Sequence, residues 1–126
     1  MTPEDLQKRT KRIALSTIAL FRELPSDEVA RIVGKQVVRS GTSVGANYRA
    51  ACLAKSTADM INKLKTVEEE ADETAYWIEI LDEGSISSSD RCRELHSEAF
   101  ELRKIMTASI KTLRAGKSTQ TVNRNS

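Results

Sequence analysis

Apolar residues along this chain recur at steps of three and four, the spacing that gathers side chains on one side of an α-helix. The first stripe combines Leu6, Ile13 and Leu20 with Thr10, Ala14, Thr17, Phe21 and Leu24. Thr2 stands where an N-cap belongs, Pro3 suits the first helical position, and Glu4 and Asp5 favour the positive end of the helix dipole. Pro25 biases Leu24 away from helical backbone, so the first helix is predicted over about 3–23. The second stripe is Ala30, Val33, Val37, Ser40, Val44, Asn47 and Ala51, a seam of period 3.5. Ser26 is the predicted cap, with Asp27 and Glu28 in the first turn. Gly34, Gly41 and Gly45 each cost about 1 kcal/mol against alanine in a helix. Either they admit a second helix at close range, or Ser40-Gly41 breaks this one. One continuous helix over about 26–54 is the expectation.

Ser56-Thr57-Ala58-Asp59 reads as a capping box with Asp in place of the usual Glu. The third stripe follows in Met60, Leu64, Val67, Ala71, Thr74, Ile78 and Leu81, and Gly84 is the predicted C′ residue of a helix over about 57–83. A turn at 85–90 precedes a fourth stripe, Cys92, Leu95, Ala99, Leu102, Met106, Ser109 and Leu113, which reaches about Arg114. Residues 115–126 show no pattern and are expected to be disordered. Four long amphipathic helices with short connections predict one all-α domain over 1–114, an up-down-up-down left-handed four-helix bundle.

Composition adds exclusions. Five glycines and two prolines in 126 residues are few for an all-β fold. No apolar run approaches the roughly 20 residues of a membrane span, and the polar start MTPEDLQKRTKR carries no apolar signal region, so no membrane association and a cytoplasmic location are expected. Cys52 and Cys92 are too few for a disulfide scaffold and read as small buried residues. Cys92 and the lone His96 offer two ligands at helical spacing where zinc wants four, so no metal is predicted. A di-iron bundle needs Glu-x-x-His twice, but Arg93 stands three before His96. No nucleophile, acid–base pair or cofactor motif is assembled. The chain is therefore predicted to be non-enzymatic, without cofactor or small-molecule substrate.

Charge is uneven. Residues 1–65 hold 12 Lys/Arg against 6 Asp/Glu, whereas residues 66–126 hold 8 against 12, within a net charge of +2. Lys8, Lys11 and Arg12 share a face of the first helix with Arg9 beside them, and Arg31, Lys35 and Arg39 recur every four residues on the second. Such a stripe suits a phosphate backbone, RNA or DNA, and otherwise serves as a solvated face. We take Lys8, Arg9, Lys11, Arg12, Arg31 and Lys35 as the candidate nucleic-acid contacts. Glu70 lies at the margin of the third seam, and Gln36, Arg39, Ser40, Ser43 and Asn47 occur at matching spacing on the second. Buried polar groups need partners, so a polar layer joining these residues to Glu69, Glu70 or Glu73 is predicted, serving register and specificity. Tyr76-Trp77 is a core pair or an interface anchor. Ile61, Ile80 and Val38 lie off the strict seams and widen the apolar surface, which predicts self-association.

Three segments together are distinctive: Gln36-Val-Val-Arg-Ser-Gly-Thr-Ser-Val-Gly-Ala-Asn47, Ala54-Lys-Ser-Thr-Ala-Asp-Met-Ile-Asn-Lys-Leu64, and Val67-Glu-Glu-Glu-Ala-Asp-Glu-Thr-Ala-Tyr-Trp-Ile-Glu-Ile-Leu81. Over about residues 6–114 the chain resembles the four-helix-bundle family named after 23S rRNA intervening sequences. The resemblance implies an up-down bundle assembled as a homopentameric barrel. It also implies kinship with the accessory protein of diversity-generating retroelements, a basic branch that binds nucleic acid and a reverse transcriptase. The family pattern falls on Gln36, Arg39, Ser40, Ser43, Asn47, Glu70 and Trp77. Many members carry an acidic residue and a glycine shortly after the asparagine; this chain carries Arg49-Ala50-Ala51. The expected function is thus a homo-oligomeric nucleic-acid-binding or scaffold module. The alternative is a protein-interaction adaptor that engages a partner enzyme through the acidic third helix.

Overall fold

The computed structural model describes residues 1–116; the tail expected to be disordered lies, from residue 117 onward, outside the described residues. Four helices follow one another: α1 (Pro3–Glu23), α2 (Glu28–Ala51), α3 (Thr57–Glu83) and α4 (Asp90–Arg114). No strand occurs among the described residues. Each helix packs on its neighbours in sequence, and α4 closes the ring against α1, which makes an up-down-up-down four-helix bundle. The core is a continuous column that includes Ile13, Leu20, Val37, Val44, Val67, Leu81, Leu102 and Met106.

The helix ends follow local chemistry. At α1 the Thr2 hydroxyl accepts from the Asp5 amide and the Asp5 carboxylate accepts from the Thr2 amide, a complete capping box. Hydrogen bonding of the carboxylate to Thr2, to its amide foremost and then its side chain, holds the Asp5 carboxyl below its ordinary pKa of 3.8. The cap of α2 is Asp27 rather than the predicted Ser26, because the Asp27 carboxylate takes the Ala30 amide at 2.9 Å. Ser56 caps α3 as predicted. Its capping box is incomplete: the Asp59 carboxylate reaches the amide of Lys55, one residue before the cap, and binds Lys63 at 2.5 Å. The left-handed residue after α3 is Ser85, with φ 58°, while Gly84 has φ −81°. Ile86 donates its amide to Leu81 and Ser85 donates to Asp82, the paired closure of a Schellman turn. Glycine therefore sits one residue too early for the position that favours it.

α2 is continuous through Ser40-Gly41, and its glycines face α1. A Cβ at Gly41 would lie 2.3 Å from Thr17 Cγ2, and one at Gly34 would lie 2.6 Å from Leu24 Cδ1. The absence of side chains at these positions sets the approach of the two helices. The seams also depart from strict heptads. Tyr48 is buried and Asn47 half-buried; Ile110 is buried and Ser109 half-buried. Both helices take a step of four where the 3.5 period predicted three, as a straight helix of 3.6 residues per turn drifts against a heptad. At each place the drift brings the larger apolar side chain into the core.

Candidate nucleic-acid interface

The charged groups divide by partner. Arg9 turns off the outer face of α1 and forks onto Glu98 of α4, at 2.5 and 2.9 Å. That hydrogen bonding raises the Arg9 pKa above its ordinary value. Arg9 is thus a helix tie and not a free surface cation. Arg91 binds Glu23 at 2.9 Å, a second tie between α4 and α1. Lys63, Arg93, Arg103 and Lys104 are likewise placed against Asp59, Asp90, Asp72 and Glu101. Arg103 also lies 4.7 Å over the Phe100 ring.

Against that background, Lys8, Lys11, Arg12, Arg31 and Lys35 are exposed and make no ion pair or side-chain hydrogen bond among the described residues. Arg22 and Arg49, which were not among the predicted contacts, share that condition, as do Lys111 and Arg114 on α4; the half-buried Lys65 on α3 likewise forms no ion pair among the described residues. The signal for Arg49 was its spacing: it falls seven residues after Thr42 and fourteen after Lys35, on the same side of α2. Arg39 leaves the predicted basic stripe, because four-residue steps drift around a helix and carry it to the α3 side.

There it organises the predicted polar layer, only part of which is enclosed. Ser40 is buried, and the Thr74 hydroxyl donates to its Oγ at 3.0 Å. Ser40 in turn donates to the Gln36 carbonyl at 2.8 Å. Arg39 is exposed, takes Gln36 Oε1 at 3.0 Å, and reaches Glu70 and Glu73. Trp77 Nε1 donates to Glu73 at 2.9 Å. Ser43 and Asn47, both half-buried, bond back to the carbonyls of Arg39 and Ser43 on their own helix. Glu69 is exposed and outside the layer. The enclosed link therefore joins Ser40 to Thr74, a residue read in the sequence as part of the apolar stripe. The charged members lie on the rim, where water solvates them at far lower cost than the core would.

Tyr76 is 51% exposed and packs edge-on to the half-buried Trp77, with ring centroids 5.1 Å apart. Val29 and Ile32 on α2 and Leu15 on α1 are also more than half exposed. His96 Nε2 lies 2.8 Å from Glu79, and among the described residues no group of three or more His, Cys, Asp or Glu side chains is placed to hold a metal ion. Cys92 is buried, with its sulfur 3.4 Å from the Ser87 hydroxyl, and Cys52 is half-buried. No described helix is long and apolar enough to cross a membrane.

These features define a four-helix bundle with a cation-rich α1–α2 face and a serine–threonine link between α2 and α3. The family model of the 23S rRNA-intervening sequence protein matches residues 4–108, and the chain belongs to that family. It is similar to a crystal structure from Bacteroides thetaiotaomicron described as a protein of unknown function from the S23 ribosomal protein family. The two are 33% identical with a TM-score of 0.80, over 89% of this chain and all of that one. No curated protein matches the chain.

Proposed function

We propose that this protein is a non-enzymatic, self-associating bundle that binds structured nucleic acid through the exposed cations of α1 and α2. The supporting observation is the partition of its charges. Lys8, Lys11, Arg12, Arg31 and Lys35 form no ion pair among the described residues, whereas the cations Arg9, Arg39, Lys63, Arg91 and Arg103 do. Unpaired cations beside one another repel, and a polyanion removes that repulsion while releasing its own counterions. The subunit number is a pentamer, on the strength of the family resemblance, and exposed Leu15, Val29, Ile32 and Tyr76 supply apolar surface for copies to cover.

Filter binding of a structured RNA between about 50 and 200 mM salt tests the binding reading; affinity should fall steeply. Binding that is absent, or indifferent to salt, favours the adaptor reading instead. That second reading draws on the acidic surface of α3 next to exposed Tyr76, a combination suited to a basic protein partner. Light scattering tests assembly, and a monomer at micromolar concentration would remove that part of the proposal.

A further inference from the structure

A groove of about 440 Å³ runs between the outer edges of α1 and α2. Gly45 lies in its wall, and a Cβ there would sit 3.2 Å from Thr10 Oγ1 and 3.3 Å from the Thr10 carbonyl oxygen. Ala14 and Ala46 add only methyl groups to the lining, so the space stays open. Lys8 and Lys11 enter from α1 and Arg49 from α2, with Glu4 as the one carboxylate in the lining. None of the three cations forms an ion pair among the described residues, where most of the other arginines do.

We infer that this groove seats a stretch of phosphodiester backbone between Lys8 and Lys11 on one side and Arg49 on the other. The inference rests on the nucleic-acid reading above and gives it a location. Arg49 offers a planar fork that suits two phosphate oxygens, while the two lysines act as point charges on the opposite wall. The aliphatic lysine and arginine stems and the Ala46 methyl give an apolar bed suited to the sugar face. No aromatic ring lines the groove, so base stacking contributes nothing and recognition is of the backbone, with little dependence on sequence. Arg9, although adjacent in the chain, stays on Glu98 and takes no part.

The test is fluorescence anisotropy of the full chain with end-labelled RNA and DNA duplexes of one mixed sequence, across about 50–200 mM salt. Three neutralised phosphates contribute about 2.7 to the slope of log affinity against log salt, or roughly 40-fold over that fourfold range. Replacing Lys8, Lys11 and Arg49 together by Ala should remove that share of the slope. A charge-matched triple on α4, Lys104, Lys111 and Arg114 to Ala, should keep it. Ala46→Trp fills the groove without altering charge and should weaken binding at least tenfold at fixed salt, with helical content unchanged by circular dichroism. Losses with RNA and DNA alike, or with RNA alone, support the groove and identify which backbone it holds. Full-strength binding by Ala46→Trp, or equal slope losses in the two triples, overturns the groove but leaves nucleic-acid binding standing. A wild-type protein that binds neither duplex removes both.

Discussion

Gly41→Ala isolates a close contact between α1 and α2. Alanine in place of glycine inside a helix is worth about 1 kcal/mol in propensity. Here the added methyl would lie 2.3 Å from Thr17 Cγ2 and 3.3 Å from Thr17 Cβ, in a position buried on every side. Thr17 is β-branched and its hydroxyl donates to the Ala14 carbonyl at 2.6 Å, so its side chain has few rotamers to retreat into. Overpacking of this kind costs about 1–3 kcal/mol, and a stiff partner places it toward the upper end. The expected net loss is about 1–2 kcal/mol, read as a lower urea midpoint and a Tm reduced by about 4 °C per kcal/mol. Protein concentration must be held fixed, because the proposed self-association would add to apparent stability. Thr17→Ser deletes the opposing methyl and keeps the hydroxyl. In the Gly41→Ala background it should recover about 1 kcal/mol relative to its effect in the wild type, a coupling that a double-mutant cycle measures. Gly34→Ala is the contrast: its new methyl meets the ends of Leu24 and Phe21, which can rotate toward solvent, so stability should hold or rise. A Gly41→Ala protein that gains the full propensity term, or shows no coupling to Thr17, would refute the close packing of α1 on α2.

Ser85→Gly should stabilise by about 0.5–1 kcal/mol in thermal melts, since it relieves a left-handed serine at the α3 terminus while adding some freedom to the unfolded chain. Ser40→Ala should cost about 1 kcal/mol by orphaning part of Thr74's hydrogen bonding, whereas Ser40→Ala with Thr74→Val, which removes both partners, should be closer to neutral in urea unfolding. Asp5 and Asp59 have folded pKa values below the ordinary 3.8, through the Thr2 amide and hydroxyl and through Lys63 respectively. Their contribution is therefore complete above about pH 3.8 and is lost as pH falls through the depressed folded values. Asp5→Asn and Asp59→Asn should each flatten the acid limb of a stability–pH profile, and a limb unchanged in both variants would contradict the caps.

The helices were legible because each writes a buried stripe and a polar start into the chain. The ends of α1 and α3 fall where their caps and stripes place them. The departures have specific causes. Ser26 and Asp27 are both good caps, and only the fold shows that Asp27 meets the Ala30 amide. A period-3.5 reading chose Asn47 and Ser109 over Tyr48 and Ile110 because spacing was weighed above side-chain size. For the site, periodicity could bring Arg39 near Glu70 and Glu73 but could not say that the contact lies on the rim. Nor does linear sequence show that Arg9 finds Glu98, a residue 89 positions away, and so leaves the basic face. The groove is invisible for the same reason, since Lys8, Lys11 and Arg49 meet only when two helices pack through glycine.

The ties between α1 and α4 have a topological consequence. Arg9 pairs with Glu98 and Glu23 with Arg91, so these helices run in opposite directions and the start of α1 lies beside the end of α4. A short covalent bridge between those ends, with a new opening in the residue 52–56 connection, would give a circularly permuted chain that retains every helix pair. Such a chain would show whether the order in which the rods leave the ribosome matters to how they assemble.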